Sequence, residues 1–265
     1  MKKTYIGLTC LLLLALALFV ALSFYGDSLE RWHIKTGSFA RVLIGDTTHR
    51  QRTPLSATDS TRAVSQAPGQ DFSQTVDTAR KSILFIGDSM LEGLGPRLAA
   101  YAEENGHMLV NVIWYSSTTE VWGRTEKLKE YIAEYQPDYI FVSLGGNELF
   151  VSNIRDRRQK YLDNMLSQIG DIPFVWIGPP NWKPDTGINE MLAETLRPGQ
   201  FYLSYTPDQH YDRARDGAHP TRASASAWMD RVCAWVMKSA AHRIVLHRPK
   251  AARATCHTVV LAPAK

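Results

Sequence analysis

The chain has 265 residues, 45% of them hydrophobic and 21% charged, with a formal net charge of +4. That is ordinary globular composition, and it excludes wholesale disorder, a collagen-like chain and a disulfide-dense miniprotein. The charge is uneven: seven basic and no acidic residues follow Asp230, Lys2 and Lys3 open the chain, and residues 4–230 carry a net −5. A basic total that comes from the two ends gives no footprint for nucleic acid, and none is expected as a partner.

Residues 1–26 form the first predicted element. Lys2 and Lys3 are followed by no charge until Asp27. As a helix the apolar run would reach about 34 Å, enough for a hydrocarbon core of about 30 Å. Basic residues ahead of the run place the remainder outside the cytoplasm. The expectation is a signal anchor. The alternative is a secreted chain cleaved near Ala21-Leu22-Ser23, but the run is long for a signal peptide.

Residues 27–80 read as a juxtamembrane stem and flexible linker. Eleven of the 35 residues in 46–80 are Ser or Thr, and Phe72 is the only aromatic there. Such a segment buries too little apolar surface to offset its ordering entropy.

From residue 81 the texture alternates. Residues 82–86 (SILFI), 108–115, 139–144 and 174–177 are short apolar runs that read as buried strands, with a shorter fifth at 201–204. Helical spacing covers residues 94–104, 125–135, 156–169 and 221–241, the last opened by Thr221 as a cap. This order predicts an α/β domain over 81–241 with a central parallel sheet covered on both faces. Residues 242–265 form a basic tail with short apolar runs. An extra strand, a surface-binding tail and disorder all fit it. Cys233 and Cys256 would be free to pair outside the cytoplasm, but two cysteines make no framework.

In parallel sheets, ligands bind beyond the carboxyl ends of the strands. Ser89 follows the first strand and Gly87-Asp88, at the entry to a helix that favours developing negative charge. Asp216 and His219 lie three residues apart on a loop before the last helix. That spacing lets the carboxylate take one imidazole nitrogen and leaves the other for a nucleophile. Asn147 follows the third strand and a Gly pair, where its amide can donate to an oxyanion alongside the Ser89 backbone N–H.

Together these blocks resemble the SGNH/GDSL hydrolase family. The matching stretches are Phe85-Ile86-Gly87-Asp88-Ser89-Met90, Gly145-Gly146-Asn147-Glu148 and Asp216-Gly217-Ala218-His219. The resemblance implies a three-layer α/β/α sandwich without metal or cofactor. It makes Ser89 the nucleophile, His219 the base and then acid, Asp216 its orienter and Asn147 an oxyanion donor. Two departures stand out. The family's usual Gly after the second strand is absent from Tyr115-Ser116-Ser117-Thr118-Thr119, which leaves the Thr118 N–H to serve. Glu148 stands where Asp is common.

The expected reaction is serine ester hydrolysis, removing O-acetyl or other short acyl groups from a cell-envelope carbohydrate. Trp114, Tyr115, Trp122 and Trp182 lie near strand ends, where an aromatic can stack on a sugar. Trp182 and Asp88 are taken as substrate-side residues. Arg124 and Lys183 are weaker candidates for an acidic polymer. The alternatives are O-acetyl transfer beside a membrane-bound acyltransferase, a lipase or thioesterase, and a non-catalytic glycan-binding sandwich.

Overall fold

The computed structural model describes residues 75–262. The anchor, stem and most of the linker lie outside the described residues. Among the described residues, no helix is long and apolar enough to cross a membrane.

The elements run β1 (Ser82–Gly87), α1 (Leu91–Glu104), β2 (Met108–Trp114), α2 (Thr119–Gly123), α3 (Lys127–Tyr135), β3 (Tyr139–Ser143), α4 (Ile154–Ile169), β4 (Phe174–Ile177), α5 (Ile188–Thr195), β5 (Phe201–Tyr202), α6 (Arg222–Ser239) and β6 (His257–Leu261). The strands form one sheet in the order β5-β4-β3-β1-β2-β6. Every pairing is parallel. An α/β domain with a central parallel sheet is therefore what the alternating pattern folds into.

The continuous apolar runs are explained by burial on both faces. Ile83 and Phe85 pack with Leu91, Leu94 and Leu98 of α1 and Trp228 and Val232 of α6. Leu84 and Ile86, the alternate residues of the same strand, pack with Leu128 of α3 and Leu162 and Met165 of α4. Central β1 is flanked by β2 on one side and β3 on the other, so the chain reverses its winding there. The crevice this opens at the carboxyl ends of β1, β2 and β3 is where ligands bind in such sheets. Gly87 closes β1 because no side chain fits: an added Cβ would lie 2.4 Å from Ser143 O of β3.

Several elements differ from the sequence reading or sharpen it. Helix α1 begins at Leu91, not 94, and carries Gly93, Gly95 and Pro96 in its early turns. Those residues are poor helix formers, and packing overrides them. Gly93 is needed there, since a Cβ would come within 2.6 Å of the Ala225 Cβ of α6. Helices α2 and α5 were not read from the sequence, although Ile188, Met191 and Leu192 of α5 are buried. Of the three readings open for the tail, the extra strand is the one seen: residues 257–261 are β6, in register with β2 from Val110↔His257 to Trp114↔Leu261. The domain thus runs past residue 241. At its other end Asp77 pairs with Ile244. Cys233 is buried, Cys256 is half-buried, and both are free thiols.

Candidate active site

Ser89 sits in the turn between β1 and α1. The Leu91 N–H donates to Asp88 O at 3.2 Å and the Glu92 N–H to Ser89 O at 3.1 Å, which starts the helix and leaves Ser89 at its mouth. Among the described residues the Ser89 N–H donates to no protein group. His219 Nε2 lies 2.7 Å from Ser89 Oγ. Its Nδ1 lies 2.9 Å from Asp216 Oδ2. The sequence-predicted serine, histidine and aspartate therefore meet as one hydrogen-bonded chain.

The loop that carries the relay is held by its own backbone. Asp216 Oδ1 accepts the Ala218 N–H at 2.8 Å and the His219 N–H at 2.9 Å. These two bonds, with the His219 ring, hold the Asp216 carboxyl down at about 2. It stays ionised at any ordinary pH and so favours the imidazole tautomer with hydrogen on Nδ1. Arg213 clamps the loop from behind. Its guanidinium donates to Ala218 O at 2.9 Å, to Asn181 O at 3.1 Å and to Pro180 O. It thereby joins the His219 loop to the loop after β4. Sequence reasoning missed Arg213; nothing in its local pattern marks a residue with two of its three partners more than thirty positions away.

The other side of Ser89 is buried. Asp88 is 2% exposed. Its Oδ1 accepts the Met90 N–H at 2.9 Å, and its Oδ2 accepts the Asn147 amide at 3.3 Å. Burial, opposed by the Met90 bond and the His219 charge, pushes its carboxyl up to about 7. Asp88 is thus an internal brace for Asn147 and not a substrate contact. The Asn147 amide also donates to Ser117 O at 3.0 Å. The amide nitrogen thus has two acceptors, and the longer bond, to Asp88, is the weaker of the two.

Glu148, wholly buried, holds the loop after β2 in place. It accepts the Thr119 N–H at 2.9 Å, the Thr119 hydroxyl at 2.7 Å and Arg158 Nε at 2.8 Å. Desolvation raises its carboxyl, and these bonds counter the shift. The departure from Asp to Glu is therefore a structural tie between two site loops. Arg158 and Thr119 are further residues that the sequence did not point to.

Ser116 resolves the missing glycine. It adopts a left-handed backbone, φ 58°. Glycine is the residue that takes such a conformation without strain. Ser116 also lines the cavity at Ser89, whereas Thr118 does not. Thr118 instead caps α2, its hydroxyl accepting the Val121 N–H at 3.2 Å. Neither the Ser116 nor the Thr118 N–H donates to a protein group among the described residues, and Ser116 is the one of the two in the cavity wall.

The cavity holds about 550 Å³ and opens on Ser89, His219, Tyr115 and Ser116. Of the four candidate aromatics, Tyr115 alone is in its wall, its hydroxyl bonded to Glu92. Trp122 is wholly buried. Trp114 packs edge-on against it at 5.2 Å. Trp182 lies outside the cavity wall: its indole N–H donates to Gly146 O at 2.9 Å, and Lys183 sits over its ring at 4.6 Å. Trp182 buttresses the Asn147 loop. Arg124 pairs with Glu120 and with the Tyr161 hydroxyl, away from the cavity. Among the described residues, no group of His, Cys, Asp and Glu is arranged to hold a metal.

The fold and site define an α/β protein with a serine–histidine–aspartate chain at the carboxyl edge of a parallel sheet. No protein-family model matches the chain, and no curated protein matches it significantly. Among solved structures it is similar to the psychrotrophic esterase EstA from Pseudoalteromonas sp., inhibited by monoethylphosphonate, at 17% identity and a TM-score of 0.45, covering 59% of this chain and 97% of that one. TesA is similar at 19% identity and 0.45, covering 59% and 98%. A protein of the G-D-S-L family from Desulfitobacterium hafniense DCB-2 is similar at 14% and 0.39, covering 57% and 97%. None is close enough to carry its activity to this chain.

Proposed function

We propose that the chain is a serine ester hydrolase of the SGNH type that releases acetyl or other short acyl groups through an acyl-serine intermediate. The observation that carries this is the unbroken chain Ser89 Oγ–His219–Asp216, with contacts of 2.7 and 2.9 Å. His219 Nε2 takes the hydroxyl proton as Ser89 Oγ attacks the ester carbonyl carbon. The oxyanion that forms meets the N–H groups of Ser89 and Ser116, and the Asn147 amide as it swings off Asp88. Collapse breaks the acyl–oxygen bond, and His219 returns the proton to the departing alcohol. Water then attacks the acyl-serine, His219 again takes and returns a proton, and the carboxylic acid leaves.

The substrate is proposed as an acylated carbohydrate outside the cytoplasm. The support is the sequence of residues 1–80, read as an anchor and a linker whose 46–80 portion would reach roughly 30 to 35 Å. An acyl-serine can equally pass its acyl group to a sugar hydroxyl, and acceptor choice decides between hydrolysis and transfer.

Acetate release from acetylated glycans and simple acetyl esters tests this reading. The wild type should release acetate, and Ser89→Ala should lose at least about a thousandfold with its melting temperature intact. Equal activity in Ser89→Ala would overturn it.

A further inference from the structure

The basic tail plays no part in the chemistry above, yet the fold delivers it to the site. The Ala254 N–H donates to Pro96 O of α1 at 2.9 Å. Pro96 has no N–H of its own, so the Glu92 carbonyl loses its helical donor. Arg253 lies over that vacancy, its guanidinium 3.5 Å from Glu92 O. This places Arg253 in the wall of the Ser89 cavity, together with Arg222, the first residue of α6.

Several other arginines in the domain are committed to carboxylates. Arg97 and Arg248 share Asp230, Arg158 holds Glu148 and Glu120, and Arg155 holds Glu194. Among the described residues, Arg222 and Arg253 have no carboxylate within 4.0 Å. The same wall holds two acids whose oxygens already accept hydrogen bonds, Asp216 from His219 and two backbone N–H groups and Glu92 from the Tyr115 hydroxyl, while neither carboxylate contacts Arg222 or Arg253. Two guanidinium groups without a carboxylate partner in the wall of a reactive cavity favour an anion, and the N-terminal end of α6 adds to the same sign.

We infer that Arg222 and Arg253 form an anion-binding side of the cavity. The ester taken by this site then carries a carboxylate or phosphate on its alcohol portion, close to the scissile acyl group. This rests on the esterase reading. It also gives the tail a role: Arg253 is a specificity residue supplied from beyond the last helix.

The test uses the full chain with three acetate esters: 4-acetoxybenzoate, 4-acetoxyphenyl phosphate and the neutral 4-acetoxybenzamide. Arg253→Ala and Arg222→Ala should each lower kcat/KM for the charged esters about five- to tenfold and leave the amide within about twofold. Arg253→Lys should recover much of the loss, and high salt should shrink the wild-type preference. Equal effects on charged and neutral esters, or no effect, would overturn the inference. Calorimetry on Ser89→Ala separates it from the esterase reading. Tighter binding of the carboxylate ester than the amide, in a wild type inactive on all three, would support the anion side and overturn the esterase reading. Equal binding of the two would overturn the anion side. The carboxylate and phosphate arms tell which anion fits.

Discussion

The two sides of Ser89 are built from opposite materials. On one side, the His219 loop is short and solvent-exposed, and backbone N–H groups hold the Asp216 carboxyl down at about 2. On the other, Asp88 and Glu148 are buried, and desolvation raises both carboxyls, that of Asp88 to about 7. The same functional group thus serves two ends. An exposed, hydrogen-bonded carboxylate is a permanent charge that can steady an imidazolium. A buried carboxylate is a costly brace, useful for holding an amide and a loop in one position. The relay side should therefore govern chemistry, and the buried side should govern stability and donor placement.

The largest expected effect lies on the relay side. His219→Ala should lower kcat by about four orders of magnitude with little change in melting temperature, because the ring's partners are Ser89 and an exposed carboxylate. A stability loss as large as the activity loss would erase the contrast between the two sides.

Next comes Asp88. Its folded pKa of about 7 lies above the ordinary 3.8, so between those values the folded chain keeps a proton that the unfolded chain has released. Stability contributed by this group therefore falls as pH rises from about 4 to about 7, by a few kcal/mol. Asp88→Asn removes the titration, so its stability relative to the wild type should improve across that window. A pH-independent difference would place Asp88 in the relay side's class.

Glu148→Gln should cost about 3 kcal/mol, since it leaves Arg158 with Glu120 alone and weakens the hold on Thr119. Denaturant unfolding measures this. A loss confined to activity would contradict the brace role.

The smallest effect sharpens the comparison from the relay side. Arg213→Met should lower kcat about ten- to a hundredfold with KM nearly unchanged, because it loosens the loop that aims His219 and touches no substrate. Arg213→Lys should restore little, since a single ammonium cannot span three carbonyls as the guanidinium does.

Much of this was legible in the chain. Buried parallel strands announce themselves as apolar runs ending in glycine, and Ser89, Asn147, Asp216 and His219 each stand where such a strand or the last helix places them. What stayed hidden depends on distance. Strand β6 is only half apolar because it is an edge strand with one neighbour, and Val260 is 58% exposed. Arg213, Arg158 and Arg253 work through partners on other elements, so no local pattern marks them. Ser116 hid for a different reason: a serine holds a backbone shape that a glycine would have advertised. The aromatics misled in the reverse direction. Trp122 and Trp182 look like sugar platforms from their positions, yet one fills the core and the other ties its indole N–H to Gly146 O.

The central claim is that Ser89 is a nucleophile activated by His219. Intact-protein mass measurement after treatment with a fluorophosphonate tests it without any choice of substrate. The wild type should gain a single phosphonyl group mapping to Ser89, His219→Ala should react far more slowly, and Ser89→Ala should gain nothing. An unmodified wild type, or a label that persists in Ser89→Ala, would contradict the account.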